Sequence, residues 1–274
     1  LGAYRHRNAV TRALPFVLLG VSGAAAVMAG GWALLDGLKL VQQLPLGLPW
    51  MHWHLRLDAL SGFFFAIVGL LLIAVSFYGP SYVREFEGSK QPLSVLGLFT
   101  GLFAAGMLLV LLADDAFAFM VAWELMSLSS YFLVTYQHQN APNRRAGFLY
   151  LLMAHVGALA ILLGFGVLAS LDGNFTFDAM RTATLAPLWA SIAFALAFFG
   201  FGMKAGLVPV HAWLPEAHPV APSHISALMS GVMLKVAIYG FIRVTYDLVG
   251  NIQWQWGLAV LIVGTASALL GVLY

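Results

Sequence analysis

The sequence predicts an all-α fold, a polytopic transmembrane bundle of about eight helices. Only 24 of its 274 residues are charged, 13 Lys and Arg against 11 Asp and Glu. That is 9% of the chain, whereas a soluble domain carries about 25%. Hydrophobic residues make up 61%. They collect into eight apolar stretches, and a stretch of about 20 such residues can cross a bilayer.

The eight apolar stretches follow one another with short polar connections, the shortest being little more than Asp114-Asp115. Helices are expected because lipid cannot satisfy the backbone of an open strand, and the alternation of a membrane barrel is missing. We expect a single membrane domain over residues 1–274, and a fragment of a longer protein, because the chain starts at Leu1 and stops within an apolar run. The predicted spans are Ala13–Leu35, Ala59–Gly79, Leu93–Ala113, Ala116–Tyr136, Ala146–Ser170, Pro187–Val208, Ile225–Val249 and Gly257–Tyr274.

The composition excludes several classes of protein. A soluble enzyme needs a charged surface, and a nucleic-acid binder needs a basic stripe, and the chain has neither. The chain contains no Cys, so thiolate-held iron–sulfur clusters and zinc–thiolate sites are excluded. We therefore expect no cofactor and no redox centre in this chain, and any redox chemistry would belong to partner subunits.

The positive charges predict the orientation, because cytoplasmic loops carry more Lys and Arg. With the stretch before the first span labelled side one, side one holds seven such residues and the opposite side four. Side one is therefore predicted to be cytoplasmic. The seven are Arg5, Arg7, Arg12, Arg84, Lys90, Arg144 and Arg145, and the four are Lys39, Arg56, Arg181 and Arg243.

Four ionisable residues fall well inside predicted spans, where a charge costs about 2.5–3.5 kcal/mol or more. They are Glu124, His155, Lys204 and Lys235. Opposite signs on neighbouring helices predict that Glu124 pairs with one of the lysines. Such a pair either locks helices together or belongs to a proton relay. For His155, a buried neutral ring bonded to a neighbouring helix is a second interpretation, because its face neighbours are apolar.

The sixth span carries Lys204 shortly before Pro209 and Pro215. Proline removes a backbone donor and clashes with the preceding turn, and a broken helix beside an intramembrane charge is typical of transporter ion sites. The alternative is a helix that ends near Pro209.

Histidines cluster around the loop that follows. His211, His218 and His224, together with Glu216, suggest a proton path, since His titrates near neutral pH, and a metal site is the weaker alternative because no zinc spacing is matched. His224 stands eleven residues before Lys235, which places both on nearly one face of a continuous helix, with Gly231 leaving room for water. The segment His52-Trp53-His54 is interpreted as a loop in an interfacial aromatic belt and not as a ligand pair.

Three motifs contain the charged residues that fall well inside the fourth, sixth and seventh spans. They are Val121-Ala-Trp-Glu-Leu-Met-Ser-Leu-Ser-Ser-Tyr131, Gly200-Phe-Gly-Met-Lys-Ala-Gly-Leu-Val-Pro-Val-His-Ala-Trp-Leu-Pro-Glu-Ala-His218 and Ala221-Pro-Ser-His-Ile-Ser-Ala-Leu-Met-Ser-Gly-Val-Met-Leu-Lys235. Together they resemble the proton-translocating antiporter-like subunit family, which includes membrane-arm subunits of respiratory complex I and large Mrp-type antiporter subunits. The sequence of the third motif is most similar to the hydrogenase 4 and formate hydrogenlyase branch of that family.

The resemblance implies a fold of two inverted repeats with one broken helix. Residues 93–249 would form the first repeat, and 257–274 would begin the following segment. Glu124 would be the family's essential glutamate, Lys204 the lysine of the broken helix and Lys235 the lysine that continues the path. From the residues themselves, His155, His211, His218 and His224 are further candidates for the proton relay.

The implied function is proton translocation in the inner cell membrane, coupled to redox chemistry in the membrane and peripheral subunits of a hydrogenase or complex I-like assembly. The alternatives are an Mrp-type sodium/proton antiporter subunit and a structural anchor that pumps nothing. The expected partners are these subunits, protons or sodium ions, and the lipid bilayer, with no nucleic acid.

Overall fold

The helical spans predicted from the sequence are present. The computed structural model describes residues 2–37, 39–86, 92–169, 173–250 and 252–273. Lys90, Ser170 and Tyr274, which enter the sequence predictions, lie outside the described residues, as do the side chains of Arg5 and Arg7. Within the described part, eight helices are long and apolar enough to cross a membrane: Arg12–Leu35, Ala59–Phe86, Leu93–Leu112, Ala116–Val134, Ala141–Ala169, Pro187–Ala205, Ser223–Val249 and Trp254–Leu273.

The elements follow in simple order along the chain. A hairpin separates the first two spans, and the seventh span is interrupted by two π-helical segments. The elements are α1 Gly2–Leu35, β1 Leu40–Leu48, β2 Met51–Leu57, α2 Ala59–Tyr82, a 3-10 turn Val83–Phe86, α3 Leu93–Leu112, α4 Ala116–Val134, α5 Ala141–Ala169, α6 Phe177–Thr182, α7 Pro187–Ala205, α8 Trp213–Val220, α9 Ser223–Leu228, a π segment Met229–Met233, α10 Leu234–Ile242, a π segment Arg243–Val249 and α11 Trp254–Leu273.

The hairpin corrects one prediction. Residues 52–54 are not a loop but lie on β2, which pairs antiparallel with β1 from Leu40↔Leu57 to Leu48↔Met51. Lipid cannot satisfy the backbone of an open strand, but this excludes strands only within the hydrocarbon. The hairpin lies between spans, where water satisfies an open strand edge. Leu55 forms a further bridge with Ala113, so β2 lies against the turn between α3 and α4.

Small residues bring α1 and α2 into close contact. A Cβ added at Gly23 would lie 2.7 Å from the carbonyl oxygen of Gly69, and one at Gly69 would lie 2.5 Å from the carbonyl oxygen of Gly23. Gly30 faces Gly62 in the same way one heptad further along. In lipid, helices associate through packing between such small residues, since no hydrophobic effect drives them together.

The centre of the bundle is aromatic, and α11 stands apart from it. Phe119 of α4 contacts Trp123, Phe165 and Phe201, bringing α4, α5 and α7 together. The fully buried large side chains include Phe103, Phe119, Trp123, Phe165, Phe177 and Phe201. By contrast, Trp256 is the one described residue of α11 that is buried.

The helix that carries Lys204 ends one residue later. Gly206 adopts φ +81°, a left-handed conformation, and Leu207 N donates to Gly202 O at 2.9 Å, which is the Schellman pattern of helix termination. A turn then leads to the short α8. This matches the alternative of a helix that ends near Pro209, and a single helix broken by proline is not confirmed.

We predict that Gly23→Val destabilises the protein by about 1–3 kcal/mol, because the added methyls meet the backbone of α2. Thermal unfolding of the detergent-solubilised protein measures the effect. Gly31→Val is the matched control on the same helix, since no atom of the described residues lies within 4 Å of a Cβ added there. Equal losses of stability in the two variants would contradict the close contact between α1 and α2.

Candidate functional site

Lys204 lies buried at the C-terminal end of α7, with 3% of its surface exposed. Its ammonium donates to the hydroxyl of Tyr150 at 2.7 Å and to the hydroxyl of Ser127 at 3.1 Å. The Tyr150 hydroxyl also contacts the Ser130 hydroxyl at 2.5 Å. The nitrogen therefore sits among neutral hydroxyl groups from α4 and α5, and no carboxylate of the described residues is within ion-pair distance of it.

The surroundings of Lys204 are tightly packed. Tyr150, Gly157, Gly200 and Trp213 enclose the space beside it, and that space is too small for a water molecule. Gly157 and Gly200 let α5 and α7 approach closely, because a Cβ added at Gly200 would lie 2.6 Å from the Gly157 carbonyl oxygen. The position in the last turn of α7 favours a positive charge, since the helix dipole is negative there.

The predicted ion pair between Glu124 and a lysine does not form. The Glu124 carboxylate instead lies 3.6 Å from Nε2 of His155, with 32% of the glutamate side chain exposed. It remains close enough to Lys204 for an electrostatic interaction. The prediction was based on opposite signs in neighbouring spans, and spacing along a chain does not fix which face of α4 carries the carboxylate.

His155 is not a buried ring either. Its side chain is 48% exposed, and Nδ1 lies 3.0 Å from the carbonyl oxygen of Leu151 on its own helix. Together with Glu124 it lines a groove of about 550 Å³ between α4 and α5, whose other walls are apolar. The pair is thus presented on the outer face of this chain.

Lys235 lies near the middle of the seventh span, as predicted, and is half-buried. Its ammonium donates to the carbonyl oxygen of Ser230 at 2.6 Å. His224 and Lys235 were predicted to lie on nearly one face of a continuous helix. That prediction does not hold, because the π segment Met229–Met233 between them changes the helical phase. The space predicted at Gly231 is filled by the side chain of Leu71.

The histidines of the following loop point to different neighbours. His224 is fully buried and makes edge-on ring contacts with Phe16 and Tyr82, while neither of its ring nitrogens has a hydrogen-bond partner among the described residues. His218 Nδ1 lies 2.8 Å from the Ser226 hydroxyl, and burial lowers the pKa of His218, which favours its neutral form.

His211 lies in the turn between α7 and α8, and its Nδ1 is buried without a hydrogen-bond partner in the part of the chain that the structure describes. Glu216 is exposed on α8. Among the described residues, no group of three or more His, Asp or Glu side chains is arranged to hold a metal ion.

Sequence reasoning misses a cluster of charges at the opposite end of the bundle. Arg243 binds Asp58 through both terminal nitrogens at 2.7 and 2.8 Å, and it reaches Asp247 at 3.0 Å. Arg181 then links Asp247 to Asp114, with contacts of 2.9 and 2.6 Å. In the sequence, the two arginines only enter the count of positive charges that predicts the membrane orientation. Their pairing could not be seen there, because it depends on contacts between residues up to 185 positions apart.

Asp58 has two roles in this cluster. It caps α2 by accepting from Ser61 N at 3.0 Å, and it neutralises Arg243, which is 4% exposed. Burial by itself would raise the pKa of Asp58, but the hydrogen bonds and charge of Arg243, with help from Ser61 and Arg56, outweigh it and hold that pKa well below its ordinary value. The carboxylate is therefore charged at any ordinary pH.

Comparisons with known proteins agree with this architecture. Residues 113–274 match the family described as "NADH:quinone oxidoreductase/Mrp antiporter, TM". The chain is similar to hydrogenase-4 component B of Escherichia coli, with 43% identity over 93% of this chain and 38% of the relative. It is also similar to formate hydrogenlyase subunit 3 of the same organism, with 27% identity over 96% of this chain and 41% of the relative.

A solved structure shares the fold. The Mrp complex from Dietzia sp. contains a chain that matches with a TM-score of 0.82 and 26% identity, covering 99% of this chain and 50% of the other. Of the two Escherichia coli relatives, the chain spans about two fifths of the length of each.

We predict that Asp58→Asn lowers stability by about 3–5 kcal/mol, because it leaves the buried Arg243 without its charged partner while an amide can still cap α2. Thermal unfolding in detergent is the measurement. Asp178→Asn is the control within the same cluster. Asp178 binds Arg181 at 2.6 Å, but its side chain is 75% exposed, and exposed pairs contribute about 0.2–1 kcal/mol. Equal effects of the two substitutions would show that the Arg243–Asp58 contact is not a buried ion pair.

Proposed function

Because the chain belongs to the NADH:quinone oxidoreductase/Mrp antiporter transmembrane family, we propose that it carries protons through a chain of buried side chains in the membrane. The transfer is coupled to redox chemistry in partner subunits of a hydrogenase or complex I-like assembly. The 43% identity to hydrogenase-4 component B supports a hydrogenase assembly, and the absence of Cys supports placing the redox centres in other chains.

The surroundings of Lys204 are the observation that carries the proposal. A lysine held by a carboxylate keeps its proton, whereas this one is held by the hydroxyls of Tyr150 and Ser127. Burial disfavours the charged form of such a group, so a moderate change in its surroundings is enough to load or unload a proton. Moving one charge across 100 mV requires about 2.3 kcal/mol, which is within the range of a buried charge interaction.

The hydroxyls beside Lys204 supply the first steps of a path. Tyr150 accepts from the lysine and contacts Ser130, and each hydroxyl can pass a proton by donating and accepting in turn. The Tyr150 hydroxyl also lies 3.8 Å from the sulfur of Met233, which is two residues before Lys235 in the seventh span. Between this group and Lys235 the described residues make no direct hydrogen bond, so water entry or side-chain movement completes the path.

Glu124 and His155 form a second site of proton exchange, in addition to Lys204 and its neighbouring hydroxyls. Their exposed pair lies on the outer face of α4 and α5, where lipid would penalise a carboxylate by several kcal/mol. A neighbouring membrane subunit that covers this groove would remove the carboxylate from lipid. Glu124 then passes protons between that subunit and the Lys204 group. His211, His218, His224 and Lys235 are proposed for the remaining path, in which His224 and Lys235 are not connected along one helix face.

Residues 93–249, from α3 to the end of the seventh span, are proposed to form the first inverted repeat, and 257–274 to begin the following segment. The two ends of this unit differ chemically. One end carries the paired arginines and aspartates, and the other carries Lys204 and the histidines. A one-sided arrangement of this kind suits a half-channel, in which protons enter from one side only.

An Mrp-type sodium/proton antiporter subunit is the second candidate. The TM-score of 0.82 to a chain of the Mrp complex from Dietzia favours it. The two candidates differ in their dependence on sodium and on electron flow. In proteoliposomes, proton uptake that requires an electron donor and persists without sodium supports the first function, while uptake driven by a sodium gradient alone supports the second.

We predict that Lys204→Met, and separately Glu124→Gln, reduces proton uptake at least about tenfold in proteoliposomes that contain the complete complex. Each substitution removes a group that can gain and lose a proton at membrane depth. The readout is the quenching of a pH-sensitive dye during electron-donor turnover.

Lys39→Met is the matched control, because Lys39 is exposed and lies outside the spans. It should leave uptake unchanged. Normal uptake in both Lys204→Met and Glu124→Gln would refute the relay and favour a structural anchor.

We predict that Tyr150→Phe slows proton uptake about tenfold, since it removes the hydroxyl that accepts from Lys204 while preserving the ring. Tyr246→Phe is the control, because that phenol is 63% exposed and lies in the π segment at the end of the seventh span, away from Lys204. Thermal unfolding of both variants separates a loss of transfer from a loss of packing. Unaltered uptake in Tyr150→Phe would exclude this hydroxyl from the path.

A further inference from the structure

We propose that His52 and His54 bind a divalent transition-metal ion of the Zn²⁺ type on the hairpin, a site that is separate from the proton path. The two histidines are two residues apart on β2, so both side chains project to one face of the strand. Both line one groove of about 540 Å³, together with Trp50, Asn174 and Phe175. The groove lies outside the membrane spans, at the end of the bundle that carries the paired arginines and aspartates.

The spacing of the two rings suits one metal ion. Residues two apart on a strand are separated by about 6.6 Å. Two imidazole nitrogens bound to zinc at about 2.0–2.1 Å in a tetrahedral arrangement lie about 3.3 Å from each other. Rotation of the exposed His52 side chain toward the His54 ring, which stays beside Asp115, brings the two rings from the first separation to the second. The remaining coordination positions would be taken by water, since the groove is open and polar at this point.

A buried carboxylate behind His54 supports the assignment. Nδ1 of His54 is buried without a hydrogen-bond partner among the described residues, 3.6 Å from Oδ2 of Asp115. The His54 side chain is 27% exposed and lines the groove, and with Nδ1 turned to Asp115, Nε2 is the ring nitrogen left to bind a metal ion. A histidine that binds a metal through one nitrogen usually donates from the other to a carboxylate, and this fixes the ring and strengthens the ligand.

Asp115 is rigidly held for that role. It is fully buried and accepts from Ala118 N at 2.6 Å as the cap of α4, and from His54 N at 2.7 Å. Its carboxylate therefore cannot turn away from the His54 ring. Metal binding on Nε2 would place a proton on Nδ1, and a small shift of the ring from the present 3.6 Å would let that proton be donated to Asp115 Oδ2.

Zn²⁺ titration of the purified full chain in detergent tests the proposal, with calorimetry as the readout. The unchanged protein should show a saturable site that His52→Gln and His54→Gln each weaken at least about tenfold. His138→Gln is the control, since His138 lies in the turn between α4 and α5, at the other end of the bundle. Equal affinity in the two hairpin variants and the unchanged protein would refute the site.

Cu²⁺ provides a second measurement that does not depend on affinity. Its electron paramagnetic resonance spectrum should show two bound imidazole nitrogens in the unchanged protein and one in either single variant. Asp115→Asn should weaken Zn²⁺ binding about 10–100-fold while the Cu²⁺ spectrum keeps both nitrogens. A spectrum without nitrogen coupling, or one unaffected by removal of His52 and His54, would overturn the proposal.

Discussion

Hydrocarbon cannot solvate a charge, and this constraint explains how the chain uses its few ionisable residues. At one end of the bundle, Arg181 and Arg243 are each neutralised by carboxylates at hydrogen-bond distance. At the other end, Lys204 is held by hydroxyl groups, with no carboxylate of the described residues within ion-pair distance. The first arrangement pairs each positive charge with a carboxylate, whereas the second surrounds the lysine with neutral hydrogen-bond partners.

The paired charges also determine where the helices lie. Asp58 caps α2, Asp114 lies in the turn before α4, Arg181 lies on α6, and Arg243 and Asp247 end the seventh span. Their contacts therefore join four separate parts of the chain at one end. That end is therefore held by directional bonds between opposite charges, whereas Lys204 at the opposite end is held by hydrogen bonds to neutral hydroxyl groups in tight packing.

The fold class and the span positions could be predicted from composition and hydropathy, because the apolar stretches and the scarcity of charge both follow from the lipid environment. The position of Lys235 near the middle of the seventh span could also be predicted, whereas Lys204, expected well inside the sixth span, lies in the last turn of α7. The partner of Glu124 could not be predicted, because sequence spacing does not determine which face of α4 turns outward. Tyr150 was missed because a tyrosine in an apolar helix carries no charge to mark it.

The hairpin and the charge cluster were missed for a related reason. Both depend on pairing between distant parts of the chain, as in the contact of Asp58 with Arg243. Local hydropathy identifies a segment that leaves the membrane but not what that segment touches. One signal was available: several acidic and basic residues fall just at predicted span ends on the same side, and their number suggests mutual pairing.

The two π segments of the seventh span have a consequence for relatives of this chain. A π turn holds one residue more than an α turn, so Ser223–Val249 carries extra residues without extending its length in proportion. An insertion or deletion of one residue in this helix can be absorbed by gaining or losing such a turn while Lys235 and Arg243 keep their positions. Sequences aligned without gaps across this helix would then match residues that occupy different faces, and the alignment should be anchored separately on either side of Met229–Met233.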